Sequence, residues 1–70
     1  MTPLGKRLGA LVKSCRLERE MTQAELAEVL GTEQSAVAHI ETRGCFNLTT
    51  LQAVASAVDA DLVIDLRLRA

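Results

Sequence analysis

Leu4, Leu8, Leu11, Val12 and Cys15 recur at spacings of three and four, the stripe of one helix over Pro3–Glu20. Pro3 suits its first turn, where no backbone N–H is needed. Thr22 and Glu25 form a capping-box pattern: the hydroxyl accepts from the backbone three residues on and the carboxylate accepts in return. A second helix is therefore predicted from Gln23, burying Leu26, Ala27 and Leu30 and ending at Gly31, where a left-handed residue is cheapest as glycine. A third runs from about Gln34 to Thr42 with Val37 and Ile40 inward. Gly44 and the loop around Cys45 and Phe46 break it, and Asn47 caps a fourth helix whose inner face is Leu48, Leu51, Val54, Ala55 and Val58.

The last segment changes period. Leu62, Ile64, Leu66 and Leu68 alternate with Asp61, Val63, Asp65, Arg67 and Arg69, which predicts a strand with one buried face. No other run reads as a strand, so the economical partner for its unpaired backbone groups is the same strand from a second copy, antiparallel about a two-fold axis. A register centred on residue 66 sets Asp65 opposite Arg67, and one centred on 64 pairs Asp61 with Arg67; centring on 65 would oppose two aspartates. A frayed tail or a short amphipathic helix is the alternative. The expected organisation is a helical domain over residues 1–58 and a dimerisation strand over 59–70.

Seventy residues leave room for one small domain, which recovers only ~60% of its unfolded surface on folding, and this strengthens the case for self-association. No apolar run approaches the ~18 residues of a membrane span, and no apolar signal segment opens the chain, so a cytoplasmic location without membrane contact is expected. Cys15 and Cys45 lack partners at metal spacing and read as reduced, partly buried thiols; no metal or cofactor is expected.

Eight Lys/Arg against nine Asp/Glu speak mildly against a polyanionic partner, but the charges are sorted. Lys6, Arg7, Lys13, Arg16 and Arg19 make the first helix basic, with Glu18 the one acid among them. Glu20, Glu25, Glu28, Glu33 and Glu41 follow without a cation, and Arg43 opens a mixed tail. A nucleophile with a neighbouring base, a metal cluster and a glycine-rich phosphate loop are all missing, which argues against an enzyme.

The strongest signal is helix, tight turn, helix over about residues 23–42, with Ala27, Gly31, Val37 and Ile40 at intervals of four, six and three. Ala27 lets the third helix cross closely, Gly31 permits the turn, and Val37 and Ile40 dock the third helix so that its other face stays free. At these residues the chain resembles the Xre/Cro family of helix-turn-helix repressors, through TQAELAEVLGTEQSAVAHIE and on into LTTLQAVASAV, from about Leu8 to Val58. The resemblance implies a mainly α, four-helix fold like that of lambda repressor. Helices followed by a terminal strand most resemble the HipB-type antitoxin branch, whose members dimerise through such a strand.

Roles follow by resemblance. Gln34, Ser35 and His39 correspond to base-reading positions on the helix laid in the major groove, with Ala36 and Ala38 able to touch thymine methyl groups. Gln23, Arg43, Asn47 and Thr49 correspond to phosphate-contacting positions. Arg16 and Glu41 match an ion pair that sets the angle of the reading helix, leaving Arg16 able to reach a phosphate as well. Two positions depart from the family: Glu20 stands where glycine is common, at roughly 1 kcal/mol if its backbone is left-handed. Glu33 stands at the usual cap of the third helix, where an acid repels phosphate but can accept from cytosine N4.

The expected function is thus a dimeric repressor of a palindromic operator on double-stranded DNA. In the antitoxin version a toxin protein meets Glu25 and Glu28 or the tail. The alternative is a protein-binding adaptor that keeps the fold and has lost DNA binding, motivated by Glu33 and the acidic middle of the chain.

Overall fold

The computed structural model describes residues 3–45 and 47–69. Four helices are found among the described residues, α1 (Leu4–Glu18), α2 (Gln23–Leu30), α3 (Gln34–Arg43) and α4 (Leu48–Ala57). Three of the four starts have a local cause. Pro3 precedes α1; Thr22 accepts from Glu25 N at 3.0 Å while Glu25 Oε1 accepts from Thr22 N at 2.9 Å; Asn47 Oδ1 accepts from Thr50 N at 3.1 Å. The side-chain caps at Thr22 and Asn47 satisfy otherwise orphaned donors and are worth ~1 kcal/mol each. Gly31 closes α2 at φ 71°, and Thr32 N donates back to Ala27 O at 2.9 Å.

Val12, Leu26, Ala27, Val37, Val54 and Val58 form the core, with Leu26 and Val37 fully buried. Cys15, Met21, Leu30, Ile40, Leu51 and Ala57 pack around it, partly buried. The expected inner stripe of α1 needs correction, since Leu4 and Leu11 are 68% and 59% exposed. The inward residues are Gly5, Gly9, Val12 and Arg16, at spacings of four, three and four. Close approach of two backbones selects that face: a Cβ on Gly9 would run into the carbonyl oxygen of Ile40, and one on Gly44 would come within 2.5 Å of Gly5 C and O. Cys45 N completes the contact by donating to Gly5 O at 3.1 Å. Leu48, expected inside α4, is likewise 52% exposed, on the side where α1 and α4 leave an apolar cleft with Pro3, Leu4, Leu8 and Leu51.

Among the described residues two non-glycine residues are left-handed, Glu20 at φ 54° and Asp59 at φ 55°. The first is the departure singled out in the sequence. The second turns the chain out of α4, and Arg19 ties that exit to α1 by donating to Val58 O at 2.8 Å and Asp59 O at 2.9 Å.

Beyond it, no strand occurs among the described residues. Residues 60–69 carry no regular secondary structure. Leu62 is half-buried against α1 and α4, whereas Ile64, Leu66 and Leu68 are exposed. The physical reason is the ladder itself, since a strand needs a second strand to take its backbone hydrogen bonds and one chain supplies none. Asp65 and Arg67 pair with each other within the tail, at 2.7 Å.

Candidate nucleic-acid interface

The α2–turn–α3 unit is held from below by one buried ion pair. Arg16 Nε donates to Glu41 Oε2 at 2.7 Å, Nη2 donates to Glu41 Oε1 at 3.1 Å, and Nη1 donates to Met21 O at 2.7 Å. The two side chains are only 8% and 3% exposed, so the bridge joins α1 to α3 in a place where an unpaired charge would be costly. Burial pushes the Glu41 carboxyl up, but hydrogen bonds from Arg16 and Gln23 and the charges of Arg16 and Lys13 outweigh it and leave the group below the usual carboxylate range. Arg16 is raised by its hydrogen bond to Glu41, against burial.

This geometry changes the reading of Arg16. Three of its five donors are spent inside the protein and its side chain faces away from solvent. In this conformation the expected second duty, reaching a phosphate, is not open to it. Lys13 is exposed, stands one helical turn before Arg16, and is close enough for its charge to act on Glu41. In the sequence Lys13 is one of five cations in the basic first helix. The i, i+3 relation to Arg16 is the signal that would have picked out Lys13.

On the other side, α3 turns Gln34, Ser35, His39, Thr42 and Arg43 to solvent while Val37 is buried and Ile40 half-buried. Ser35, His39 and Arg43 succeed each other four residues apart, which lines them along one stripe. Ala36 and Ala38 are half-buried. Gln34 Nε2 donates to Gln23 Oε1 at 3.4 Å, and Gln23 Nε2 donates to Glu41 Oε1 at 3.2 Å. The start of the exposed helix is thus joined to the buried pair.

His39, Asn47 and Thr49 line one open groove of about 520 Å³ between α3 and the start of α4. Asn47 Oδ1 is committed to its cap, which leaves the amide N–H groups available as donors. Glu33 begins α3 without a side-chain capping bond, and its carboxylate is exposed. Glu25 is held below the usual carboxylate range by the Thr22 backbone N–H and then by the Thr22 side chain. Its acidity belongs to the cap of α2. Of the expected dimerisation residues, Leu62 touches the α1–α4 groove and Ile64, Leu66 and Leu68 are exposed.

The arrangement offers an exposed polar helix, flanked by donors at the starts of α2 and α4 and by Arg43. It is suited to reading a polyanion through hydrogen bonds. No group of His, Cys, Asp and Glu side chains able to hold a metal occurs among the described residues, and both cysteines are free thiols. Among those residues no helix is long and apolar enough to cross a membrane.

Comparison with known proteins agrees with this geometry. Residues 12–63 match the family model described as Helix-turn-helix. Over 59 residues the chain is 37% identical to the ImmF control region 10 kDa protein of Bacillus phage phi105, an alignment that takes in 83% of this chain and spans 66% of that protein's length. The fold superposes on a chain of a HipB-O1-O2 complex with a TM-score of 0.74, covering 93% of this chain and 96% of the other, at 21% identity. At that identity the likeness is one of fold.

Proposed function

The chain belongs to the helix-turn-helix family, and from that premise we propose that it is a sequence-specific repressor of double-stranded DNA, acting as a homodimer on a palindromic operator. The observation that carries this reading is the solvent-facing side of α3, where Gln34, Ser35 and His39 project from a helix whose angle is set by the Arg16–Glu41 bridge. Gln34 suits adenine through N6 and N7, Ser35 gives or takes one bond, and His39 donates to guanine N7. Gln23, through the backbone N–H it places at the start of α2, and Asn47, Thr49 and Arg43 contact phosphates, and Lys13 takes the place that Arg16 leaves by turning inward. Two reading helices then enter successive major grooves about 34 Å apart.

Pairing of the tails, with Leu62, Ile64, Leu66 and Leu68 on the covered face, supplies the dimer. Repression follows from occupying promoter DNA. Likeness to a phage control-region protein favours a control switch over a toxin-paired antitoxin, because the resemblance to HipB is one of fold at low identity. In an antitoxin the acidic face of α2, Glu25 and Glu28, would be the surface offered to the toxin.

Selection from random duplex DNA tests the reading. A symmetric site should emerge, bound less tightly as salt rises because condensed counterions are released on binding. Replacing Gln34 and His39 by Ala should relax the preference by ~1–3 kcal/mol per contacted base without unfolding the chain. Salt-independent binding, or no enriched site, favours the adaptor that Glu33 and the acidic α2 face otherwise suggest.

A further inference from the structure

Four polar side chains from three helices form one line of hydrogen bonds, from the buried pair to the exposed start of α3. Arg16 donates to both oxygens of Glu41, Glu41 Oε1 also accepts from Gln23 Nε2 at 3.2 Å, and Gln23 Oε1 accepts from Gln34 Nε2 at 3.4 Å. An amide has two ends that differ in chemistry and little in shape, so each glutamine has two orientations that packing alone hardly distinguishes. The carboxylate breaks that degeneracy, because an ionised Glu41 only accepts. Gln23 must turn its NH2 group inward and its carbonyl oxygen outward. That oxygen takes only a donor, so Gln34 must turn its own NH2 group toward Gln23.

The consequence appears at the surface. With one N–H spent on Gln23, Gln34 presents to solvent an acceptor, Oε1, beside its remaining N–H. An adjacent acceptor and donor match the N6 donor and N7 acceptor of adenine. The opposite order along the line would face Gln34 Oε1 to Gln23 and leave both N–H groups outward, the pattern that suits the two acceptors of guanine.

We infer that Glu41 is a positioning residue for base selection: through Gln23 it sets the orientation of the Gln34 amide and biases the reading helix toward adenine at the base pair that Gln34 faces. The inference rests on the DNA-reading function proposed above. It assigns the ion pair a second task besides joining α1 to α3.

The test needs a protein that folds without the carboxylate. Replacing Arg16→Met together with Glu41→Leu exchanges the pair for apolar side chains of similar volume, a swap that is often neutral for stability. Three readouts are taken on the full chain: thermal unfolding, the side-chain amide resonances of Gln23 and Gln34 in nitrogen–proton spectra without DNA, and base preference by site selection. The expected result is a folded protein in which both amides move to the positions of a freely rotating glutamine and the preference for adenine over guanine falls about tenfold.

A folded double variant with an unmoved Gln34 amide overturns the inference. So does an equal loss of affinity for every sequence with the preference intact, since that is what a purely structural bridge would produce. If the double variant fails to fold, Gln23→Met breaks the line one link further out and leaves the ion pair in place; it must release the Gln34 amide and relax the preference in the same way. If the wild-type chain binds no duplex, the DNA reading fails by itself, while the spectra still decide whether Glu41 orients Gln34.

Discussion

The α2–turn–α3 unit and the C-terminal tail carry equally regular patterns, yet only one of them finds its contacts within the chain. In the first, Leu26 and Val37 are fully buried, α2 is capped at its start, and the Arg16–Glu41 bridge has no orphaned polar atom. In the second, Leu66 and Leu68 are 95% and 102% exposed and no backbone ladder forms among the described residues. The difference lies in where the complementary surface resides. A helix satisfies its own backbone and needs neighbours only for one face, whereas a strand needs a second strand for its backbone as well. A period of 3.6 can therefore be met inside one small domain, while a lone period of two finds no partner within it.

Removing the tail is the sharpest way to break this contrast. A chain ending at Asp59 should sediment as a folded monomer, with the dimer weakened on the order of a hundredfold or more, ~3 kcal/mol. A dimer of undiminished affinity would mean that the tail's alternation is incidental and that the exposed Leu4, Leu11 and Leu48 make the contact.

Next in size is the ion pair. Glu41→Ala leaves Arg16 buried and unpaired, so denaturant unfolding should show a loss of ~3–5 kcal/mol, a large part of what so short a chain can hold. Acid should act on the same bond. The folded Glu41 carboxyl holds its proton less tightly than the unfolded one, so the unfolded state binds more protons. The stability from this group is whole above the ordinary value near 4.5 and is lost as the pH falls through the lower folded value. Denaturant midpoints measured from neutral pH into acid should fall steeply in that window for the wild type. The same midpoints should fall less for the double replacement Arg16→Met with Glu41→Leu.

Gly9→Ala probes the close approach of α1 to α3. Its new methyl meets the backbone carbonyl of Ile40 rather than a flexible side chain, and overpacking of this kind should cost ~1–3 kcal/mol in chemical denaturation. A neutral result would show that α1 slides easily over the end of α3. The smallest effect is a gain: Glu20→Gly relieves a left-handed backbone at φ 54° and should raise stability by up to ~1 kcal/mol, as a shift in the unfolding midpoint.

Much of the α2–turn–α3 unit was legible because its causes are local. Thr22 with Glu25, Gly31, and the inward Val37 and Ile40 specify the start and stop of α2 and the inner face of α3 within twenty residues. The relative order of apolar stripes misled where two faces competed. On α1 the leucines make the stronger hydrophobic signal, but Gly5 and Gly9 allow a closer contact, so the helix turns its glycines and Arg16 inward and leaves Leu4 and Leu11 outside. No count of apolar residues anticipates that choice.

By itself, then, the sequence determined the four helices, the exposed side of α3 and the alternation of the tail, all of which follow from backbone geometry and short-range spacing. The tertiary structure alone decided how α1 is rotated, that the guanidinium of Arg16 is consumed by Glu41 and Met21, and that Gln23 stands between Glu41 and Gln34. Apart from the Arg16–Met21 bond, five residues apart, those facts depend on distances across 11 to 25 residues of chain, set by how closely two glycine-bearing backbones approach. Side-chain periodicity carries no record of that approach.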